Sequence, residues 1–158
     1  QEIAIDGTGL FVTPFILSHV KPYESTAFLV RNQSSYLLYL GDTGADSIEQ
    51  SNQLLQLWEK IAPLIIQGQL KAIFIEVSFD NSVPAKSLFG HLNPALLMHE
   101  LGKLNNLSKG NLMKIPIFIT HLKPCTDCEI NIQRQIQEAN QLNLKIQYPS
   151  QATKIDLY

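Results

Sequence analysis

The sequence has 158 residues, of which 45% are hydrophobic and 16% charged. This length and balance are typical of one globular domain with its own core. The net charge of −2, without any basic cluster, argues against a nucleic-acid partner. No apolar run reaches the roughly 18 residues of a membrane span, so a membrane is not an expected partner either.

The chain begins with Gln1, and its first residues have neither the basic nor the apolar segment of a signal peptide. The compartment, cytoplasm or periplasm, therefore stays open. The missing initiator methionine suggests a trimmed chain or part of a longer one. Cys125 and Cys128 form a lone C-x-x-C motif, a weak indication of zinc or redox chemistry. Thr126 and Glu129 have the spacing of a capping box, which predicts a helix start there.

The first 40 residues predict β-structure. We expect strands over Leu10–Ser18, Thr26–Arg31 and Tyr36–Leu40, the last two joined by a polar hairpin turn. From Ser51 the apolar residues follow the period of an amphipathic helix, which we expect Pro63 to break or kink.

The second half of the chain alternates between the two patterns. Short buried strands are predicted over Lys71–Val77 and Ile115–Thr120, and helices from Asn93 to about Asn106 and from Thr126 to Leu142. Two further strands are predicted over Leu144–Tyr148 and Thr153–Leu157. This order predicts an α/β protein, a single domain over residues 1–158 with a mixed sheet and helices on at least one face.

Three side chains that can bind metals, His19, Asp42 and His121, each follow an apolar run. Strand ends of this kind form the rim of a sheet, where α/β proteins place their sites. Imidazoles are suited to bind one ion each, and a carboxylate between Gly41 and Gly44 is suited to bridge two. The alternatives are ordinary loop histidines and an aspartate that bonds its own turn.

Three other residues are weaker candidates. His91 follows an irregular segment, Phe79–Gly90, at a turn-like position. His99 lies within a predicted helix, where we expect packing or a surface position. Asp46 is expected to cap a helix or a turn. No residue is assigned to substrate binding.

Seven segments in a fixed order carry a more specific signal. They are Leu17–His19, Tyr23–Val30, Tyr39–Asp46, Leu57–Leu64, Ile75–Phe79, Leu88–Leu92 with Pro94, and Thr120–Pro124. Together they resemble the C-terminal part of class II cyclic-nucleotide phosphodiesterases, which belong to the metallo-β-lactamase fold superfamily. The resemblance covers nearly the whole chain and implies the C-terminal half of an αββα sandwich.

The resemblance also implies residue roles. His19 and His121 would each be a terminal ligand of one metal ion, and Asp42 would bridge the two ions and take part in catalysis. His91 would be a general acid or a phosphate contact, and Glu76 would orient a histidine. A metal-bound hydroxide would hydrolyse the substrate, cAMP or cGMP, to the 5′-nucleotide. We expect two divalent ions, zinc with manganese or iron as alternatives.

One feature of the family is not found in this sequence: the H-x-H-x-D-H motif, which would supply most of the remaining ligands. Each ion would then have one histidine and a shared carboxylate, below the three protein ligands usual for catalytic zinc. We therefore expect a C-terminal half, whether a truncation, a processed product or one chain of a split enzyme. Its inner sheet face should be apolar and uncovered, to be covered by the missing N-terminal half, a second chain or a second copy in a homodimer.

Other functions remain as alternatives. A half-domain could bind its partner segment and perform no chemistry. Asp42–Asp46 also resembles the active-site segment of retroviral-type aspartic proteases, where two aspartates share a proton, but that fold is almost all β. A tRNA-processing hydrolase of the same superfamily would share Asp42 and His121, and the lack of basic clusters argues against RNA as the substrate.

Overall fold

The computed structural model describes residues 1–123 and 127–157, which contain a seven-stranded sheet and several helices. The strands are β1 (Ile3–Ile5), β2 (Leu10–Ser18), β3 (Glu24–Asn32), β4 (Ser35–Leu40), β5 (Leu70–Glu76), β6 (Pro116–Thr120) and β7 (Lys145–Gln147). The helices are α1 (Asp46–Glu49), α2 (Gln53–Ile66), α3 (Pro94–Leu107) and α4 (Cys128–Ala139). None of the helices in this described part has the length and hydrophobicity that a bilayer span requires.

The strands follow the chain order across the sheet, and their pairing changes at β4. The pairs from β1 to β4 are antiparallel, whereas β4, β5, β6 and β7 are parallel neighbours. Parallel neighbours need long crossover connections, and these contain α2, α3 and α4. Since β2 runs in the same direction as β4, the carboxyl ends of β2, β4, β5 and β6 lie at one edge of the sheet. The predicted mixed α/β sheet is confirmed.

The helices cover one face of this sheet. Along that face Leu29, Leu38, Ile73 and Ile117 form a row of paired neighbours, and they belong to the buried core together with residues of α2, α3 and α4. The indole of Trp58 is fully buried there and donates a hydrogen bond to the buried Glu100 carboxylate, 3.2 Å away.

The opposite face carries a row of aromatic residues, each the chain neighbour of one of these core residues. Phe28, Tyr39, Phe74 and Phe118 are paired neighbours in β3 to β6. The rings of Phe74 and Phe118 stack with centroids 4.7 Å apart, while Phe28 and Tyr39 are 42% and 46% exposed. Ile16 in β2 is more exposed still. The expected apolar, uncovered sheet face is therefore present.

Several sequence predictions need correction. Pro63 does not end α2, which continues to Ile66. Proline removes only its own N–H donor, and the buried Ile61, Ala62 and Ile65 hold this end of the helix on the core. The strand predicted over Thr153–Leu157 is wrong, since this mostly exposed segment buries too little apolar surface to join the sheet. The last predicted helix ends at Ala139 rather than Leu142, because the side chain of Asn140 bonds the backbone of Leu144.

Three predicted features concern residues 124–126. Thr126 of the capping box, Cys125 of the C-x-x-C motif and Pro124 of the last family segment lie outside the described residues. The sequence did not predict two short elements, β1 and α1. They contain three and four residues, too few to show a clear period.

Candidate metal centre

The carboxyl edge of the sheet brings the predicted site residues together. His19 follows β2, Asp42 follows β4, Glu76 ends β5 and His121 follows β6, while His91 lies in the connection from β5 to α3. Ligand atoms of His19, Asp42 and His91 lie within 4.8 Å of one another, and the same holds for Glu76, His91 and His121. His91 thus belongs to both groups. The family resemblance implied a place for it in the site, whereas its position in the chain did not indicate that it lies beside the other two histidines.

His19 is held by the loop that precedes His91. Its Nδ1 lies 3.0 Å from the carbonyl oxygen of Gly90, so an Nδ1–H can donate there and Nε2 is left for another ligand. Gly90 has φ of +77°, and a Cβ added to it would lie 2.7 Å from His19 Nδ1 and 2.4 Å from the backbone nitrogen of Val20. This close approach requires glycine.

The Glu76 carboxylate is fully buried, and both of its oxygens have hydrogen-bond partners. Its Oε1 accepts the backbone N–H of Thr43 at 3.1 Å and lies 2.8 Å from His91 Nδ1. Its Oε2 accepts the hydroxyl of Ser78 at 2.8 Å. A carboxylate with three such partners is suited to orient His91 and the loop of Asp42 rather than to bind an ion itself.

Asp42 and His121 face each other at the more open side of the cluster. Asp42 Oδ1 lies 2.9 Å from His121 Nδ1, and both side chains are about two-fifths exposed. His121 has φ of +57°, an uncommon conformation for a residue other than glycine that is often found at functional sites. Solvent or a ligand can therefore reach this pair.

Ser78 was missed as a site residue. It is buried, and its Oγ lies 3.2 Å from Nδ1 of both His91 and His121. A signal was available, because Ser78 lies two residues after Glu76 and alternate side chains of an extended segment point to the same side.

Two polar candidates have structural positions. The Asp46 carboxylate accepts the backbone N–H groups of Leu54 and Leu55 at 3.2 and 2.9 Å. It thus caps the first turn of α2, and the prediction of a capping role is confirmed. His99 is exposed on α3, as expected.

The donor set fits a divalent ion. Two imidazoles and one carboxylate within 4.8 Å of one another are the ligand types that zinc and related ions bind. His121 lies beside Asp42, outside this set of three. A second ion held by His121 and Asp42 would need further donors. The assignment of individual ligands stays a prediction.

Solved structures define the class of fold. The crystal structure of unliganded yeast PDE1 is similar to 95% of this chain and 46% of its own chain, with a TM-score of 0.83 and 26% identity. The metallo-β-lactamase fold protein YhfI from Bacillus subtilis gives a TM-score of 0.58 at 14% identity, over 94% of this chain and 49% of its own. The protein therefore has a metallo-β-lactamase-type fold, which the sequence predicted. An almost all-β aspartic protease fold is excluded.

The family follows from sequence. The profile of the class-II cAMP phosphodiesterases matches residues 8–151, and the chain belongs to this family. It is 38% identical to a 3′,5′-cyclic-nucleotide phosphodiesterase of Aliivibrio fischeri over 94% of this chain and 46% of that protein. A probable 3′,5′-cyclic-nucleotide phosphodiesterase of Yersinia pestis is 35% identical, over 92% and 44% respectively. The chain spans about half the length of the curated relatives it matches.

Proposed function

We propose that this chain is the C-terminal half of a metal-dependent 3′,5′-cyclic-nucleotide phosphodiesterase, which converts cAMP or cGMP to the 5′-nucleotide. The observation that carries the proposal is the convergence of three histidines and two carboxylates at one sheet edge in a chain of the class-II family. The names of the relatives support cyclic nucleotides as the substrate class.

In this proposal two ions share the site. His19 would be a terminal ligand of one ion, His121 of the other, and Asp42 would bridge them. The contact of His19 Nδ1 with a carbonyl and the position of Asp42 near His19, His91 and His121 support this assignment. When bound, divalent ions supply Lewis-acid catalysis and lower the pKa of water. Zinc is the expected metal, and manganese and iron are compatible with the same donors.

His91 is the proposed general acid or phosphate contact. Glu76 engages its Nδ1 at 2.8 Å, so Nε2 is the nitrogen left for the substrate. As the bond between phosphorus and the 3′ oxygen breaks, a proton from Nε2 would neutralise the departing ribose oxygen and open the ring. The distances among His19, Asp42 and His91 fit His91 equally well as a third ligand. A His91→Gln variant that retains its metal but loses activity would support the general-acid role.

The remaining ligands would come from a further part of the protein. The relatives are about twice as long as the chain, and the aromatic sheet face is open. Both observations support a missing N-terminal half or a second chain packed on that face. A homodimer through the same face is the alternative.

The second candidate function is a half-domain that binds its partner segment without chemistry, favoured by the same open face. Hydrolysis of cAMP separates the two, measured on the complete protein before and after treatment with a chelator. We expect 5′-AMP as the product, loss of activity without metal and recovery on re-addition. Persistent inactivity of a folded, metal-loaded protein would contradict the phosphodiesterase proposal.

A further inference from the structure

We propose that Ser78 is a positioning residue that connects His121 to the Glu76 carboxylate, so that one buried carboxylate orients two histidines. Glu76 holds His91 directly and would hold His121 through the Ser78 hydroxyl. This inference rests on the metal-binding part of the proposed function, and it assigns a role to a side chain that the proposed reaction does not use.

The single hydroxyl hydrogen of Ser78 determines the direction of this connection. Two oxygen acceptors lie in range: Glu76 Oε2 at 2.8 Å and the carbonyl oxygen of His121 at 3.3 Å. The shorter bond goes to the buried carboxylate, and hydrogen bonds to a charged acceptor are the stronger ones. Ser78 therefore donates to Glu76, and its oxygen lone pairs are free to accept.

The two histidines differ in what their Nδ1–H can reach. His91 Nδ1 has Glu76 Oε1 at 2.8 Å and needs no second acceptor. His121 Nδ1 lies 3.2 Å from Ser78 Oγ and 2.9 Å from Asp42 Oδ1. If the oxygens of Asp42 are engaged by metal ions, Ser78 Oγ is the acceptor that remains for His121 Nδ1–H. The proton then stays on Nδ1, and the lone pair of Nε2 is available to a metal ion.

Burial makes this connection costly to break. Ser78 is 1% exposed and Glu76 is fully buried, so water does not readily replace the hydroxyl when it is removed. A Ser78→Ala change leaves Glu76 Oε2 without its donor and His121 without its alternative acceptor. His91 keeps its direct bond to Glu76 in the same variant. The effect should therefore pass through His121.

The experiment measures the affinity of the complete protein for Zn²⁺, by competition with a chromophoric chelator, after thermal unfolding has shown that each variant is folded. Ser78→Ala should weaken binding by about 10- to 100-fold, the usual effect of losing an outer hydrogen-bond partner of a ligand. Ser78→Thr, which keeps the hydroxyl, should restore most of the affinity.

A double-mutant cycle distinguishes positioning from general packing. In a His121→Gln background, Ser78→Ala should cost little further affinity. In a His99→Gln background, which changes an exposed histidine on α3, it should cost the full amount. Wild-type affinity in Ser78→Ala, or an equal loss in both backgrounds, would overturn the inference.

The affinity measurement contains no cyclic nucleotide. A protein that shows this coupling but leaves cAMP intact would refute the proposed reaction and leave the role of Ser78 standing. An active enzyme without the coupling would support the proposed reaction and refute the role of Ser78.

Discussion

The two faces of the sheet differ in what covers them, although both are apolar. Leu38 is fully buried under the helices, whereas Tyr39, the next residue of β4, is 46% exposed on the other face. Strands that are apolar on both sides are typical of sheets covered on both faces. The described part of the chain covers one face only, which supports the proposal that a further segment or chain packs on the other face. The candidate site lies at an edge that both faces share.

The largest effect on stability is expected from neighbouring substitutions in β4. Leu38→Ala should lower the free energy of unfolding by about 2–5 kcal/mol, since it removes buried methyl groups and leaves a cavity. Tyr39→Thr, which places a β-branched side chain with high strand propensity on the open face, should cost less than about 1 kcal/mol. Urea denaturation of the isolated chain measures both. Equal losses would mean that the open face is already packed in that chain.

The next largest effect on stability is expected at Gly90, beside the sheet edge that carries the candidate site. Gly90→Ala should lower the free energy of unfolding by about 3 kcal/mol, because a Cβ collides with His19 and Val20 in addition to the strain of a positive φ. Gly68→Ala is the matched control, since Gly68 also has positive φ but nothing lies near its Cβ position, and it should cost about 1 kcal/mol.

The affinity for Zn²⁺ should fall in Gly90→Ala and stay unchanged in Gly68→Ala. A Gly90→Ala variant with unchanged affinity would show that the contact between the two loops does not position His19.

A smaller effect on stability is expected at Asp46, which lies between β4 and α2 and caps α2. Asp46→Ala should lower the free energy of unfolding by about 1 kcal/mol, because two backbone N–H groups of α2 lose their acceptor. Asp6→Ala, at an exposed turn, is the control and should be neutral. Thermal denaturation compares the two, and an equal shift in both would argue against the capping role.

The smallest expected effect is a pH dependence of stability that comes from Asp80. Ser82 donates side-chain and backbone hydrogen bonds to the Asp80 carboxylate, and they lower its pKa from the ordinary value. The stabilisation is present above the unfolded pKa of about 3.9 and is lost as the pH falls through the lower folded pKa. Urea denaturation between neutral and acidic pH should show less acid destabilisation in Asp80→Asn than in the wild type. An unchanged pH profile would contradict this.

The sequence predicted the parts of the fold that depend on long apolar patterns. The limits of β2 agree with the prediction, and α2 and α3 follow from clear helical periods or caps. The last predicted strand failed because an alternating pattern in Thr153–Leu157 says nothing about whether a neighbouring strand can bury it. The coverage of the two sheet faces is likewise a tertiary property.

The candidate site was likewise predicted where it depends on strand order and was not predicted where it depends on tertiary contacts. His19, Asp42 and His121 were predicted because strand direction alone brings them to one edge. The position of His91 depends on a long loop, and the network around Ser78 depends on side-chain distances that no spacing reveals. Membership of the family was predicted from seven short segments and is confirmed.

The most direct test is the rate of cAMP hydrolysis by the complete protein with Asp42→Asn, compared with the wild type. The change preserves the shape of the side chain but removes the charge that is proposed to bridge two ions. We predict a loss of at least about 10³-fold in kcat/KM, or roughly 4 kcal/mol, with the same unfolding temperature. Wild-type activity in Asp42→Asn would contradict the assignment of this sheet edge as the metal centre of a phosphodiesterase.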